Sequence, residues 1–134
     1  MRSKTGILLR LMAEVPNTKE AESVIALVAP QIKVFAGIRK HIIEQYWKIS
    51  AYQEITLYLQ PLAIQDANTA YDGLVALAQG GWTHGGDEKD GWSRWSVWNS
   101  EQGFVLLLPS IRWAELSLWT VSVKKHQARH KRRQ

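Results

Sequence analysis

Residues 111–123 read IRWAELSLWTVSV, and this alternation of aliphatic with aromatic or polar side chains predicts a β-strand with two different faces. Ala114, Leu116 and Leu118 share one face, which we expect to pack against helices. The opposite face carries Trp113, Glu115, Ser117 and Trp119. Indole rings beside a carboxylate and a hydroxyl are typical of a face that is half open to solvent or to a partner.

Six of the seven tryptophans lie between Gly81 and Val123, and the strand predicted at 92–99 alternates in the same way. One side of that strand carries Trp92, Arg94, Ser96 and Trp98, and the other carries Trp95 and Val97. We expect the first side to lie beside Trp113 and Trp119 on one outward aromatic surface. The edges of this surface are Arg94, Arg112 and Glu115. Such a surface either anchors a protein partner or consists only of cross-strand pairs that cover the sheet.

The remaining sequence predicts a mixture of strands and helices. Strands are predicted at 5–15, 47–62, 82–84 and 103–108, and helices at 17–45 and from Asp66 or Asn68 to Gly80. Asn17 and Glu20 form a capping box at the first helix, which Pro30 is expected to bend or divide in two. The result is an α+β domain with helices packed on one face of a largely antiparallel sheet, in the order β-α(-α)-β-α-β-β-β-β.

The chain divides into a body, residues 1–123, and a basic tail, residues 124–134. Six of the 17 lysines and arginines lie in the tail, so the net charge of +5 conceals a body with 11 basic and 12 acidic side chains. A body of this length suits one globular domain with a single core. The tail has three interpretations: a solvated end, a contact with nucleic acid or an anionic surface, or a contact with the protein's own partner.

The composition favours a cytoplasmic protein. The chain has no cysteine, and therefore neither a disulfide nor a thiolate metal site, which favours a reducing compartment. It shows no signal-peptide pattern and no run of about 18 apolar residues, so no membrane contact is expected. It also contains no phosphate loop and no dinucleotide fingerprint, and no cofactor is expected.

Candidate catalytic and metal-binding residues are few. His84 lies near Asp87, but no serine or cysteine has the sequence setting of a nucleophile. His126 and His130 are four residues apart, yet the cations around them oppose the binding of a metal ion. The sequence therefore predicts no catalytic residue, no metal site and no enzymatic activity.

The glycines at 85 and 86 predict a turn that presents Asp87, Glu88 and Asp90 to solvent. Residues 85–88 also match the first four letters of the GGDEF signature of diguanylate cyclases, but Lys89 replaces the aromatic residue of that signature. We interpret the acidic turn as a contact site for a basic protein partner, together with the outward tryptophans.

The last third of the chain resembles a known group of proteins. The strings 95–99 (WSVWN), 103–109 (GFVLLLP) and 111–119 (IRWAELSLW) resemble the C-terminal meander of small cytoplasmic immunity proteins from bacterial polymorphic-toxin and contact-dependent inhibition systems. The resemblance implies a non-enzymatic protein that binds one cognate toxin domain and blocks its active site or substrate face. The alternative is a nucleic-acid-associated protein that uses the basic tail.

Overall fold

The computed structural model describes residues 3–63, 66–87 and 93–122 as two helices and six strands. In chain order these elements are β1 (Ser3–Ala13), α1 (Thr18–Ile32), β2 (Ala36–Gln45), β3 (Gln53–Pro61), α2 (Ala67–Val75), β4 (Trp82–Asp87), β5 (Ser93–Asn99) and β6 (Ile111–Ser122). The strand pairs of the sheet are all antiparallel, and the predicted α+β class is confirmed.

The strands form one sheet in the order β2-β3-β1-β6-β5-β4. β1 and β6 lie at its centre and pair from Ser3 opposite Ser122 to Ala13 opposite Ile111. The hairpin of β2 and β3 extends the sheet on one side of this pair, and the hairpin of β4 and β5 extends it on the other. β2 and β4 are therefore the edge strands.

Both helices pack on one side of the sheet, which we call the helix face; the other side is the open face. α1 buries Ala21, Val24 and Val28, which recur every three or four residues along its inner side. The central strands contribute alternate residues to the same core: Ile7, Leu9, Leu11, Ile55, Leu57, Leu59, Ala114, Leu116 and Leu118. The predicted inward face of residues 114–118 is therefore confirmed.

Each helix begins at a side-chain cap. Asn17 Oδ1 accepts a hydrogen bond from the backbone N–H of Glu20 at 2.9 Å, and Asp66 Oδ1 accepts one from Thr69 at 2.7 Å. The bond from Thr69 favours the charged carboxylate and lowers the pKa of Asp66. α2 ends at Val75, earlier than predicted. Neither described helix is long and apolar enough to cross a membrane.

Residues 36–45 form β2, so the prediction of helix as far as residue 45 is wrong. The helical spacing comes from Ile32, Phe35, Ile38 and Ile42. In the structure β2 pairs with β3, and a bulge at Arg39 inserts one extra residue into the strand. Ile38 and Ile43, five positions apart, consequently lie opposite buried residues of β3 on the same face. The bulge breaks the alternation that would have identified a strand.

The strand predicted at 103–108 is also absent from the described residues. Leu106 makes only isolated bridges, to Ala78 and Leu108, and the next residue, Leu107, has a φ of 66° that a strand does not contain. Leu106 is buried and Phe104, Leu107 and Leu108 pack against the core, whereas Val105 is exposed, so this apolar segment packs as irregular structure.

Residues 85–87 continue β4 and do not form the predicted turn. Gly85 pairs with Trp95, and Asp87 pairs with Ser93. Residues 88–92, which connect β4 to β5, lie outside the described residues.

Candidate functional site

The structure separates tryptophans that the sequence pattern placed together. Trp98 is opposite Ala114 on the helix face, and 0% of its surface is exposed. Its indole Nε1–H donates to the Gly80 carbonyl at 2.8 Å. Gly81 has a φ of 99°, and a Cβ there would lie 2.5 Å from the Trp98 indole nitrogen, so the buried ring requires glycine at this position. The prediction that Trp98 lies beside Trp113 on an outward surface is therefore wrong.

Arg94 also lies on the helix face, where it connects β5 to α2. Its guanidinium is 2.9 Å from Asp72 Oδ1, donates to Asn68 Oδ1 at 2.9 Å, and lies 4.1 Å from the ring centre of Tyr71. Because these groups are partly exposed, the ion pair and the cation–π contact together contribute about 1 kcal/mol to stability. Arg94 does not edge the open face, contrary to the prediction.

Trp113 and Glu115 lie on the open face, as the alternation of β6 predicts. Glu115 Oε1 accepts a hydrogen bond from Arg10 at 3.0 Å. Arg10 Nε also lies 3.0 Å from Glu54 Oε2, although its N–H is not aligned for a hydrogen bond. A single guanidinium in the middle of the open face is therefore shared between two carboxylates.

Trp95 is the described tryptophan of β5 on the open face. It is 44% exposed, and its ring packs on Gly85 of the neighbouring strand so closely that a Cβ at Gly85 would overlap it. Part of the indole therefore covers the sheet, as in a cross-strand pair, while the remainder is available to solvent or to a partner.

Other predicted contact residues are described in less detail. Asp87 is the last residue of β4, and Trp119 of β6 lies opposite Gly6 of β1. Outside the described residues lie Glu88, Asp90, Trp92 and the basic tail, residues 124–134. Their role in partner binding stays a prediction.

An apolar cleft opens at one end of the open face. It has a volume of about 250 Å³ and is lined by Met12, Tyr46, Ile49, Tyr52 and Trp113. Met12 and Trp113 are cross-strand partners at the end of the sheet. The other three belong to the loop between β2 and β3, which is closed by a 3.0 Å hydrogen bond from the Tyr46 N–H to the Tyr52 carbonyl. The loop and the sheet together form a concave site that suits one large apolar side chain.

The same loop presents Trp47, which at 81% is the most exposed large hydrophobic residue in the described part of the chain. Its ring centre lies 6.3 Å from that of Tyr46 and 5.0 Å from Lys48 Nζ. The sequence pattern predicts a strand that begins at Trp47, whereas residues 46–52 form a loop in the structure. The available signal was the stretch 46–52, YWKISAY, which holds three aromatic residues without strand alternation.

A chain of hydrogen bonds crosses the helix face beneath α2. Tyr71 OH donates to the Leu116 carbonyl at 3.0 Å and lies 2.6 Å from Ser96 Oγ, which lies 2.7 Å from His84 Nδ1. A carbonyl only accepts, so the proton of Tyr71 is committed to Leu116 and Ser96 must donate to Tyr71. His84 must then donate from Nδ1 to Ser96, so Nδ1 carries a proton.

This direction of donation argues against Ser96 as a nucleophile. A catalytic serine gives its proton to an imidazole, whereas Ser96 gives its proton to Tyr71 and is itself only 1% exposed. Burial raises the pKa of the Tyr71 hydroxyl above its ordinary value of 10.0, which maintains the donating form. The network therefore joins α2 to three strands, and its geometry is that of a structural contact.

Metal ligands are not grouped in the described ranges: within 3–63, 66–87 and 93–122, no three His, Asp or Glu side chains are close enough to hold an ion.

Comparisons of the chain with protein-family models, curated proteins and solved structures found no match. Function is therefore inferred from the residues themselves.

Proposed function

We propose that the chain is a non-enzymatic protein-binding module whose contact surface is the open face together with loop 46–52. The observation that carries this proposal is the distribution of exposed apolar side chains. Trp47, Ile49, Tyr58 and Trp95 lie on this surface and are four of the seven exposed large hydrophobic residues in the described part of the chain. Aromatic residues around a cleft are typical of the cores of protein interfaces.

The size of the open face supports the same proposal. Six strands about 4.8 Å apart give a width of about 24 Å, and strands of 6 to 12 residues give a mean length of about 30 Å. The resulting area of about 700 Å² is close to what each partner contributes to a standard protein interface. The open face is therefore wide enough for one stable partner.

We propose further that the partner is a bacterial toxin domain and that the chain is its cytoplasmic immunity protein, as the resemblance of residues 95–119 implies. An inhibitor that acts by covering a partner needs a wide complementary surface and no catalytic group. The open face supplies a wide surface, and the donation of His84 Nδ1 to the buried Ser96 gives no support to an alternative hydrolytic role.

Co-expression tests this proposal. The domain encoded by the adjacent upstream gene is produced in cells with and without the chain, and we expect protection from growth arrest and co-purification as a complex. Trp47→Ala should weaken both effects. Leu27→Ala is the matched control, because Leu27 is also well exposed but lies on α1. If the unaltered chain neither protects cells nor co-purifies with the domain, the immunity role is wrong.

A further inference from the structure

Two carboxylates lie directly opposite each other beside the apolar cleft. Glu44 of β2 pairs with Glu54 of β3, Glu54 pairs with Met12, and Met12 pairs with Trp113. These residues are consecutive neighbours across the open face, with about 4.8 Å between adjacent strands. Measured along the sheet, the cleft wall at Met12 is therefore about 5 Å from Glu54 and about 10 Å from Glu44.

Like charges at directly opposite positions destabilise a sheet. Arg10 offsets only part of this cost, because it is shared between Glu54 and Glu115. Glu44 forms no ion pair with any cation of the described residues. Among nearby cations, Lys40 lies 5.4 Å from the ring centre of Tyr58, and Arg39 donates to Gln60 Oε1 at 3.2 Å. Glu44, Glu54 and Glu115 carry three negative charges, and Arg10 carries one positive charge. This cluster therefore has an excess of two negative charges.

We infer that the cleft binds a large apolar side chain of a protein partner, and that a lysine or arginine within two residues of that side chain binds between Glu44 and Glu54. This inference rests on the proposed function and specifies the chemistry of its partner. In an extended segment, residues two apart point to the same side and are separated by about 7 Å. That separation equals the distance from Met12 to the midpoint of the carboxylate pair.

The other charged residues around the cleft are consistent with a partner whose cation binds on the side of Glu44 and Glu54. Lys48 packs over Trp47, and Arg112 lies 3.8 Å from Glu14, so both cations already have partners at the other margin. The chain's own basic tail does not match the site, since the only apolar side chain in residues 124–134 is Ala128. The tail supplies cations without the large apolar group that the cleft accommodates.

Two blocked peptides test the inference on the full chain, acetyl-Arg-Gly-Phe-Gly-Arg-amide and acetyl-Glu-Gly-Phe-Gly-Glu-amide. Each is titrated to about 10 mM while amide signals are followed in nitrogen–proton correlation spectra, because isolated side-chain anchors bind in the millimolar range. We expect the basic peptide to shift the signals of Met12, Ile49 and Trp113. Its affinity should exceed that of the acidic peptide about tenfold at low salt, and this preference should shrink at about 0.5 M salt.

Two variants with matched controls separate the charge from the apolar contact. Glu44→Gln should lower the affinity for the basic peptide about three- to fivefold, whereas Glu22→Gln on α1 should leave that affinity unchanged. Ile49→Ser should lower the affinity for both peptides, whereas Leu27→Ser should change neither affinity. Glu44, Glu22, Ile49 and Leu27 are all exposed, so these variants are expected to fold.

Three results would overturn the inference. Equal affinity of the two peptides would show that no basic residue of the partner binds between Glu44 and Glu54. The proposed function would still stand if the chain protects cells from the toxin. Absence of shifts at the cleft with either peptide removes the cleft as the docking site. Cleft signals that move with protein concentration alone, together with a dimer in sedimentation, assign the site to a second copy of this chain.

Discussion

The two faces of the sheet use tryptophan in opposite ways. On the helix face, Trp98 and Trp82 donate their indole N–H groups to backbone carbonyls at 2.8 and 3.0 Å, and Trp98 is fully buried. Trp95 on the open face and Trp47 in loop 46–52 expose 44% and 81% of their surfaces. Trp95 and Trp98 are only three residues apart in the same strand. The difference shows that burial and a hydrogen-bond partner, and not tryptophan content, identify the residues that hold the fold.

Trp98→Ala is expected to give the largest loss of stability. Removal of a buried indole leaves a cavity and an unpaired Gly80 carbonyl, which should lower the free energy of unfolding by about 3–5 kcal/mol. Trp95→Ala should cost under about 1 kcal/mol, because that ring is half exposed. Urea unfolding followed by far-ultraviolet circular dichroism measures both. Equal losses in the two variants would contradict the assignment of faces.

Tyr71→Phe should have the second-largest effect on the helix face. The variant removes the donor to the Leu116 carbonyl and the acceptor for Ser96, both buried, at an expected cost of about 1–3 kcal/mol. Tyr58→Phe on the open face is the control and should change the free energy of unfolding by less than about 0.5 kcal/mol. A neutral Tyr71→Phe would show that the network contributes nothing to stability.

The stability difference between the unaltered chain and Tyr71→Phe should also depend on pH. The pKa of Tyr71 is raised in the folded protein, so its proton stabilises the fold fully below the unfolded value of 10.0. Above that pH the unfolded chain loses the proton first, and stability falls. Urea titrations between about pH 8 and pH 11 should show the difference narrowing above pH 10. A difference that stays constant across this range would contradict the buried, protonated hydroxyl.

Arg94→Gln tests the difference between the two faces through a smaller loss of stability. Loss of the contacts to Asp72 and Tyr71 should lower the free energy of unfolding by about 1 kcal/mol. Protection of cells by the chain should not change, because Arg94 lies on the helix face. A large loss of protection with an unaltered urea midpoint would instead place Arg94 in the contact surface.

Trp47→Ala should have the smallest effect on stability and a large effect on binding. The free energy of unfolding should change by less than about 0.5 kcal/mol, since the ring makes few contacts within the fold. Affinity for the partner should fall by about 2 kcal/mol or more if Trp47 is a hot-spot residue. Calorimetric titration of the co-purified partner checks this value. Unchanged affinity would exclude Trp47 from the interface.

The fold class and the two sides of β6 could be predicted from sequence, because alternation and capping are local signals. The orientation of β5 could not. Its alternation separates Trp98 from Trp95 but does not say which of them faces the helices. That choice depends on the pairing of Trp98 with Ala114, whose small side chain leaves room for an indole in the core. Register across strands is not visible in the pattern of one strand.

The candidate site was harder to predict for the same reason. The cleft joins Met12, Trp113 and the loop 46–52, which come together only through the order of strands in the sheet. The contact between His84 and Ser96 likewise depends on the register of β4 against β5. The sequence indicates that aromatic residues are important, but it predicts a strand where residues 46–52 form the exposed loop.

Hydrogen exchange of the indole N–H groups tests most directly whether the tryptophans divide between the two faces. In nitrogen-15-labelled protein transferred to heavy water, the Trp98 indole signal should persist longest, because its proton is buried and bonded to Gly80. The signals of Trp47 and Trp95 should disappear within the dead time. A Trp98 proton that exchanges as fast as that of Trp47, or a protected Trp95 proton, would contradict this division.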